Sequence, residues 1–146
     1  MAPSTSSRQW GITWVCLVLA IALHVADEAL TGFLPRYNAF IESLRAANFW
    51  LPFPTFTFQA WISGLTLGVL ILLSLSPLVF AGNRYLRPLA FFLGILMVAN
   101  ALGHIGISVY LGEFAPGVYS SPVLLVAAVA LLVTTWRHRC SSGTTR

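Results

Sequence analysis

Four stretches of the chain are apolar almost without interruption, and the polar residues gather between them. They cover about residues 10–33, 56–80, 88–111 and 122–136. A helix that crosses the hydrocarbon core of a bilayer needs about 20 apolar residues, so the pattern predicts four spanning helices. The first run resembles a signal sequence in position. It is read instead as a span, because it is long and carries His24, Asp27 and Glu28 where a signal sequence would be discarded. The connection from 34 to 55 is long. Within it Phe40, Ile41, Leu44 and Ala47 share one helical face, with Asn38, Glu42, Arg45 and Asn48 opposite. That spacing predicts an amphipathic helix over about 37–49, lying at the membrane surface. Pro52 and Pro54 then force an extended segment. The loops AGNRYLRP (81–88) and GEFAPGVYSS (112–121) separate the later spans, and Pro88 is well placed to open the third. The expected fold is all-α: one integral membrane domain over 1–146, a four-helix bundle with an interfacial helix between spans 1 and 2.

Composition sharpens this reading. Charged residues make up 8% of the 146 and hydrophobic ones 58%, and the mean hydropathy is +0.83. A soluble domain carries roughly a quarter charged residues, so a cytosolic enzyme and a disordered chain are excluded. The sequence pI is 9.7, yet the eight bases are all arginines and scattered, which argues against nucleic acid as a partner. With four spans, Arg8, Arg84, Arg87, Arg137, Arg139 and Arg146 fall on one side, and Arg36 and Arg45 on the other. The excess of bases marks the cytoplasmic side, so both termini are expected there. Trp10, Trp14 and Trp136 would form the inner aromatic belt. Cys16 and Cys140 lack metal-ligand spacing and are expected as free thiols.

Ionisable groups inside a membrane are costly and mark function by default. His24, Asp27, Glu28 and Thr31 follow i, i+3, i+4, i+7 on the first span; Asn100, His104 and Ser108 follow i, i+4, i+8 on the third; Gln59, Ser63 and Thr66 follow i, i+4, i+7 on the second. At about 1.5 Å per residue, His24 lies roughly 4–5 Å outward of the bilayer middle, Glu28 roughly 10 Å and His104 roughly 6–7 Å. Three polar faces at one depth predict a polar cavity open to the non-cytoplasmic side. Gly103 and Gly106 would let neighbouring helices approach the third span. Gln59, Ser63, Thr66 and Ser108 read more simply as interhelical hydrogen-bonding groups. His138 reads as a tail residue, Glu113 as a loop charge, and Pro116 and Gly117 as turn formers.

These motifs carry a resemblance. HVADE (24–28) is similar to the namesake motif of the HXXEE family of small, largely bacterial integral membrane proteins. NALGH (100–104) resembles that family's NxxxH motif, and FAPG (114–117) its YxPG motif, in the same order. Here Asp27 stands for the first Glu of the pair and Phe114 for the Tyr. The resemblance implies a site and a bacterial cytoplasmic membrane, multi-pass. It implies no substrate, because the family has no established reaction.

Three chemistries fit the cluster. His24, Glu28 and His104 can supply two imidazoles and a carboxylate to one divalent transition metal, Zn or Fe, in a hydrolase-like enzyme. Asn100 would orient a ligand or stabilise an oxyanion, and Asp27 would orient a histidine or act as general base. Without metal, Glu28, Asp27 and the two histidines could run acid–base chemistry, an isomerisation or cyclisation, on a lipid-like substrate. As a third reading the same groups form a proton or small-solute pathway. Membrane lipids and a lipid-like small molecule are the expected partners. Four short helices hide little surface from lipid, which leaves room for a homodimer without requiring one.

Overall fold

The computed structural model describes residues 5–47, 49 and 52–141, the last three by backbone alone. Asn48, Leu51 and Arg146 lie outside the described residues, as do the side chains of Arg139 and Cys140. The described chain is all helical: α1 (Thr5–Thr31), α2 (Phe33–Ala46), α3 (Phe58–Ser74), α4 (Ser76–Phe80), α5 (Arg87–Leu111) and α6 (Ser121–Ser141), with one 3₁₀ turn at Arg84–Leu86. Four segments are long and apolar enough to cross a membrane: Thr5–Thr31, Phe58–Phe80, Arg84–Leu111 and Ser121–His138. The architecture is that of a multi-pass membrane protein.

Helix α1 is the hub. It packs against α2, α3, α4 and α6, and α6 in turn packs against α5. The buried core joins Trp10, Trp14, Leu17 and Val18 of α1 to Leu124, Ala128 and Leu131 of α6, with Ala90, Leu93 and Ala101 of α5. Spacings of three, four and eight residues place each set on one helix face. Two glycines set the closest approaches. A Cβ on Gly11 would lie 2.4 Å from the Phe80 ring, and one on Gly94 would lie 2.7 Å from Leu132. Gly103 and Gly106 have nothing within 4 Å of such a Cβ. The close contact on α5 is therefore about two and a half turns earlier than the sequence suggested, at the position facing α6.

The tryptophans depart from the expected belt. Trp10 and Trp14 are fully buried. The Trp10 indole N–H donates to Thr135 Oγ1 at 2.9 Å, and that of Trp14 to the Leu72 carbonyl at 3.0 Å. Thr13 and Thr134 add a hydroxyl pair at 2.7 Å. These bonds join α1 to α6 and to the end of α3. Only Trp136 of the three is exposed. The Leu72 carbonyl belongs to the last turn of α3, where carbonyls lack helical donors. Pro77 ends that helix and starts α4, so the second apolar run is two helices in line rather than one.

Helix α2 begins at Phe33, directly after Gly32, whose φ of 77° turns the chain sharply away from α1. Pro35 is tolerated because it lies in the first turn. Leu34 and Ile41 are its buried residues. Its polar face is not simply solvated. Tyr37 O–H donates to the Pro54 carbonyl at 3.1 Å, the Asn38 amide to the Phe56 carbonyl at 2.8 Å, and Arg45 to the Phe53 carbonyl at 2.6 Å. The extended proline segment is thus held against α2 by the very residues that make the helix amphipathic.

Candidate metal centre

His24 and Glu28 lie one turn apart on α1, and His104 faces them from α5. The two histidines are each seven residues from the C-terminal ends of their helices, roughly 10 Å along the axis. All three side chains are enclosed: His24 is 3% exposed, Glu28 6% and His104 9%. Glu28 Oε1 stands 3.2 Å from His104 Nε2 and 3.6 Å from His24 Nε2. One ligand atom from each of the three falls within 4.8 Å of the others. The imidazoles meet edge to face, with centroids 4.9 Å apart.

The loop before α6 fixes the orientation of both rings. His104 Nδ1 lies 2.6 Å from the Pro116 carbonyl. A carbonyl only accepts, so Nδ1 carries the proton. His24 Nδ1 lies 2.8 Å from Ser120 Oγ. That hydroxyl has one proton, and it points to Asp27 Oδ2 at 2.7 Å, the charge-assisted choice among its neighbours. Ser120 Oγ therefore accepts from His24, whose Nδ1 is also protonated. In both neutral imidazoles the free lone pair is then on Nε2, turned toward the Glu28 carboxylate. His24 Nε2 is buried with no hydrogen-bond partner. Two lone pairs and a carboxylate oxygen converging on one point repel each other unless a proton or a cation lies between them.

Gly117 lets the loop come this close. Its φ is 81°, and a Cβ there would lie 2.9 Å from His104 Cε1 and 3.1 Å from His24 Cε1. The segment is tied down on every side. Gly117 N–H donates to Thr31 Oγ1 at 3.2 Å, and Ser120 N–H to Asp27 Oδ2 at 2.8 Å. Ala115 N–H donates to Ser108 Oγ at 3.0 Å, and Ser108 in turn to the His104 carbonyl at 2.8 Å. Thr31, Asp27 and Ser108 thus serve the loop, and the loop serves the histidines.

Asn100 lies one turn before His104, with its side chain beside His24. Its Oδ1 is buried and has no hydrogen-bond partner. The structure thus brings His24, Asp27, Glu28, Asn100 and His104 to one place, from two helices. It does not bring the third polar stripe. Gln59, Ser63 and Thr66 are all exposed, since α3 packs on α1 through its other side. The spacing identified a common face on α3 but not its direction. Among the described residues, the cavity beside the cluster is not the polar one the sequence suggested. Polar groups fill the site themselves, and the cavity that reaches His104, about 350 Å³, has walls from α2, α5 and the loop that are mostly apolar. A larger groove of about 780 Å³ between α1 and α6 touches none of these residues.

Ser120 was not foreseen, because a serine at a helix start normally reads as a cap. Its signal was the position three residues past the FAPG glycine. Phe114 is 73% exposed and stacks on Tyr119 at 5.3 Å, away from the histidines. Glu113 pairs with Arg36 at 4.0 Å. His138, expected in the tail, is buried and stacked on Trp10 at 4.8 Å, at the far end of the bundle.

The donor set suits a metal. Zn–N bonds of about 2.0–2.1 Å in a tetrahedron place ligand atoms about 3.3–3.4 Å apart. The two separations from Glu28 Oε1, 3.2 and 3.6 Å, lie on either side of that value, and the three ligand atoms together fall within 4.8 Å, so the two imidazoles would draw closer around an ion. Metal-bound histidines commonly donate their other N–H to a carbonyl or a carboxylate-backed group, as both do here.

Fold and site together define a multi-pass membrane protein with a buried histidine–carboxylate cluster under a glycine-hinged loop. The chain belongs to the HXXEE family: the family described as "protein of unknown function with HXXEE motif" matches residues 14–132. That match contains every residue of the cluster and of the loop that orients it. No curated protein and no solved structure matches the chain.

Proposed function

We propose that this protein is a metal-dependent enzyme of the bacterial cytoplasmic membrane that acts on a membrane or lipid-like substrate. The observation that carries this reading is the pair of Nδ1 contacts, His24 to Ser120 Oγ and His104 to the Pro116 carbonyl, from which one tautomer for both rings follows. Both Nδ1 atoms are occupied by acceptors, which leaves both Nε2 lone pairs beside Glu28 Oε1. His24, Glu28 and His104 are the ligands. Asp27 orients His24 through Ser120, and Asn100, whose side chain lies beside His24, helps to orient that ligand. A zinc or iron ion held by these buried side chains would supply a Lewis acid. With both termini cytoplasmic, as the arginine distribution supports, the site lies in the outer half of the bilayer.

The test is metal content. Protein purified in detergent should carry about one equivalent of a transition metal by mass spectrometry, lost in His24→Ala and His104→Ala. A folded wild-type protein that neither retains nor rebinds Zn²⁺ or Fe²⁺ would overturn the proposal. One observation favours a second reading: the 3.2 Å separation of Glu28 Oε1 and His104 Nε2 is itself a hydrogen-bond length. Metal-free acid–base chemistry between this pair is the outcome if no metal binds while Glu28→Gln abolishes activity. Proton or solute flux in proteoliposomes would point instead to transport.

A further inference from the structure

The cavity beside His104 is built from chemically different parts, and their order along it is informative. Its lining includes the buried His104, with the Phe33 ring 5.6 Å away centroid to centroid. Its walls are apolar, with Ile107 and Leu111 of α5 opposite Phe33 and Phe40 of α2. Phe40, Ile107 and Leu111 are also exposed on the outer surface. Both lips of the opening are therefore apolar, so the cavity opens sideways, where a bilayer places hydrocarbon. Arg36 also lines it, and its side chain is 58% exposed. Among the described residues that guanidinium pairs with Glu113 at 4.0 Å, a solvated contact worth little. A volume of about 350 Å³ is at the small end of the range for ligand pockets.

We infer that this cavity takes a membrane amphiphile with an anionic group: the apolar chain lies between α2 and α5, the negative charge meets Arg36, and the bond to be changed is presented at His104. This names the substrate class of the proposed enzyme and rests on that reading for the chemistry, but not for the binding. A water-soluble anion is disfavoured by the apolar lips. A neutral lipid would leave Arg36 without a role at the opening. An incoming anion can take the place of Glu113 on Arg36 and an uncharged chain cannot, so the ion pair favours charged chains over uncharged ones.

The experiment is spin-label electron paramagnetic resonance on the full chain in phosphatidylcholine nanodiscs. The probes are a spin-labelled fatty acid, ionised at the working pH, and spin-labelled phosphatidylcholine. The fatty acid should show a motionally restricted population in excess of the zwitterionic probe. Arg36→Gln should lower that preference about fivefold, the effect of one arginine on an anionic group at a membrane surface. Ile107→Trp, which fills the cavity, should remove the restricted population for both probes. Glycerol phosphate, a head group without a chain, should not compete. Equal restriction of the two probes, insensitivity to both variants, or competition by glycerol phosphate would each overturn the inference. The measurement requires neither metal nor turnover. Stripping metal from the wild-type protein with a chelator should leave it unchanged, so loss of the metal reading and loss of this one give different results.

Discussion

Ser120 holds no metal in the proposed site, yet its removal should weaken metal binding as much as damage to a ligand's geometry would. In Ser120→Ala the acceptor for His24 Nδ1 disappears, together with the hydroxyl that connects it to Asp27 at 2.7 Å. The loop itself stays anchored, because the backbone N–H at 120 still donates to Asp27 and that at Gly117 to Thr31. The perturbation is therefore confined to one ring. Without its acceptor, His24 can rotate and can shift its proton to Nε2, the atom the metal needs bare. Loss of an outer partner of a metal-bound histidine typically weakens affinity by about 10–100-fold, or about 1.4–2.7 kcal/mol. The stability effect should be smaller, about 0.6–1.7 kcal/mol, the range for single hydrogen bonds between membrane helices.

The assay is competition of the purified protein with a chromophoric zinc chelator, alongside thermal melts by circular dichroism. Asp27→Asn gives the internal control. The asparagine carbonyl can keep both bonds to Ser120 without the charge, so its loss of affinity should fall between wild type and Ser120→Ala. His24→Ala should lose the most. Wild-type affinity in a folded Ser120→Ala protein would refute the tautomer argument, and with it the main support for a metal at this site.

Three further outcomes follow from the packing. Gly117→Ala should both lower the melting temperature and reduce metal affinity, since a Cβ there lies 2.9 Å from His104 in a left-handed conformation; strain of this kind costs about 1–3 kcal/mol, and an unchanged melt would contradict it. Gly11→Ala and Gly94→Ala should destabilise by about 1–3 kcal/mol through overpacking, whereas Gly103→Ala and Gly106→Ala should be neutral or slightly stabilising; denaturation in mixed micelles checks the ordering. Trp10→Phe should destabilise by about 0.6–1.7 kcal/mol through loss of the bond to Thr135, and a neutral result would return Trp10 to the surface.

The elements were legible because membrane helices must be long, apolar and internally hydrogen-bonded. What hydropathy could not supply was direction. In lipid, apolar residues face outward and inward alike, so the usual sign of a buried face is missing. Gln59, Ser63 and Thr66 therefore formed a correct stripe with the wrong destination, and Trp10 and Trp14 looked like belt residues because their depth was right. Both indoles lie inside because Thr135 and the Leu72 carbonyl offer partners there, and those partners come from sequence-distant helices. The glycines show the same limit. Their number on α5 announced close packing, but only the backbone geometry says that Gly94 meets α6 while Gly103 and Gly106 face open space.

The cluster was more legible than the packing, for a reason visible on α1. Trp10, Trp14, Leu17, Ile21, His24 and Glu28 advance by four, three, four, three and four residues, the step of a single helix face. Through Leu17 this face is core, and its last two members are the site. On α5, Ala90, Leu93, Met97, Ala101 and His104 advance by three, four, four and three, again ending in a ligand. The histidines and Glu28 thus occupy positions that packing alone would give to leucine, which is why their spacing predicted a meeting point. The family motifs complete the picture from the other side of that point. The HXXEE segment supplies two ligands and, through its fourth residue, Asp27, the anchor for Ser120. The NxxxH segment supplies the third ligand, and the proline–glycine segment supplies the carbonyl that holds it. Three short strings far apart in sequence are parts of one hydrogen-bonded assembly, and the tyrosine position lies outside it: Phe114 is exposed, so its exchange for Tyr should leave metal affinity unchanged.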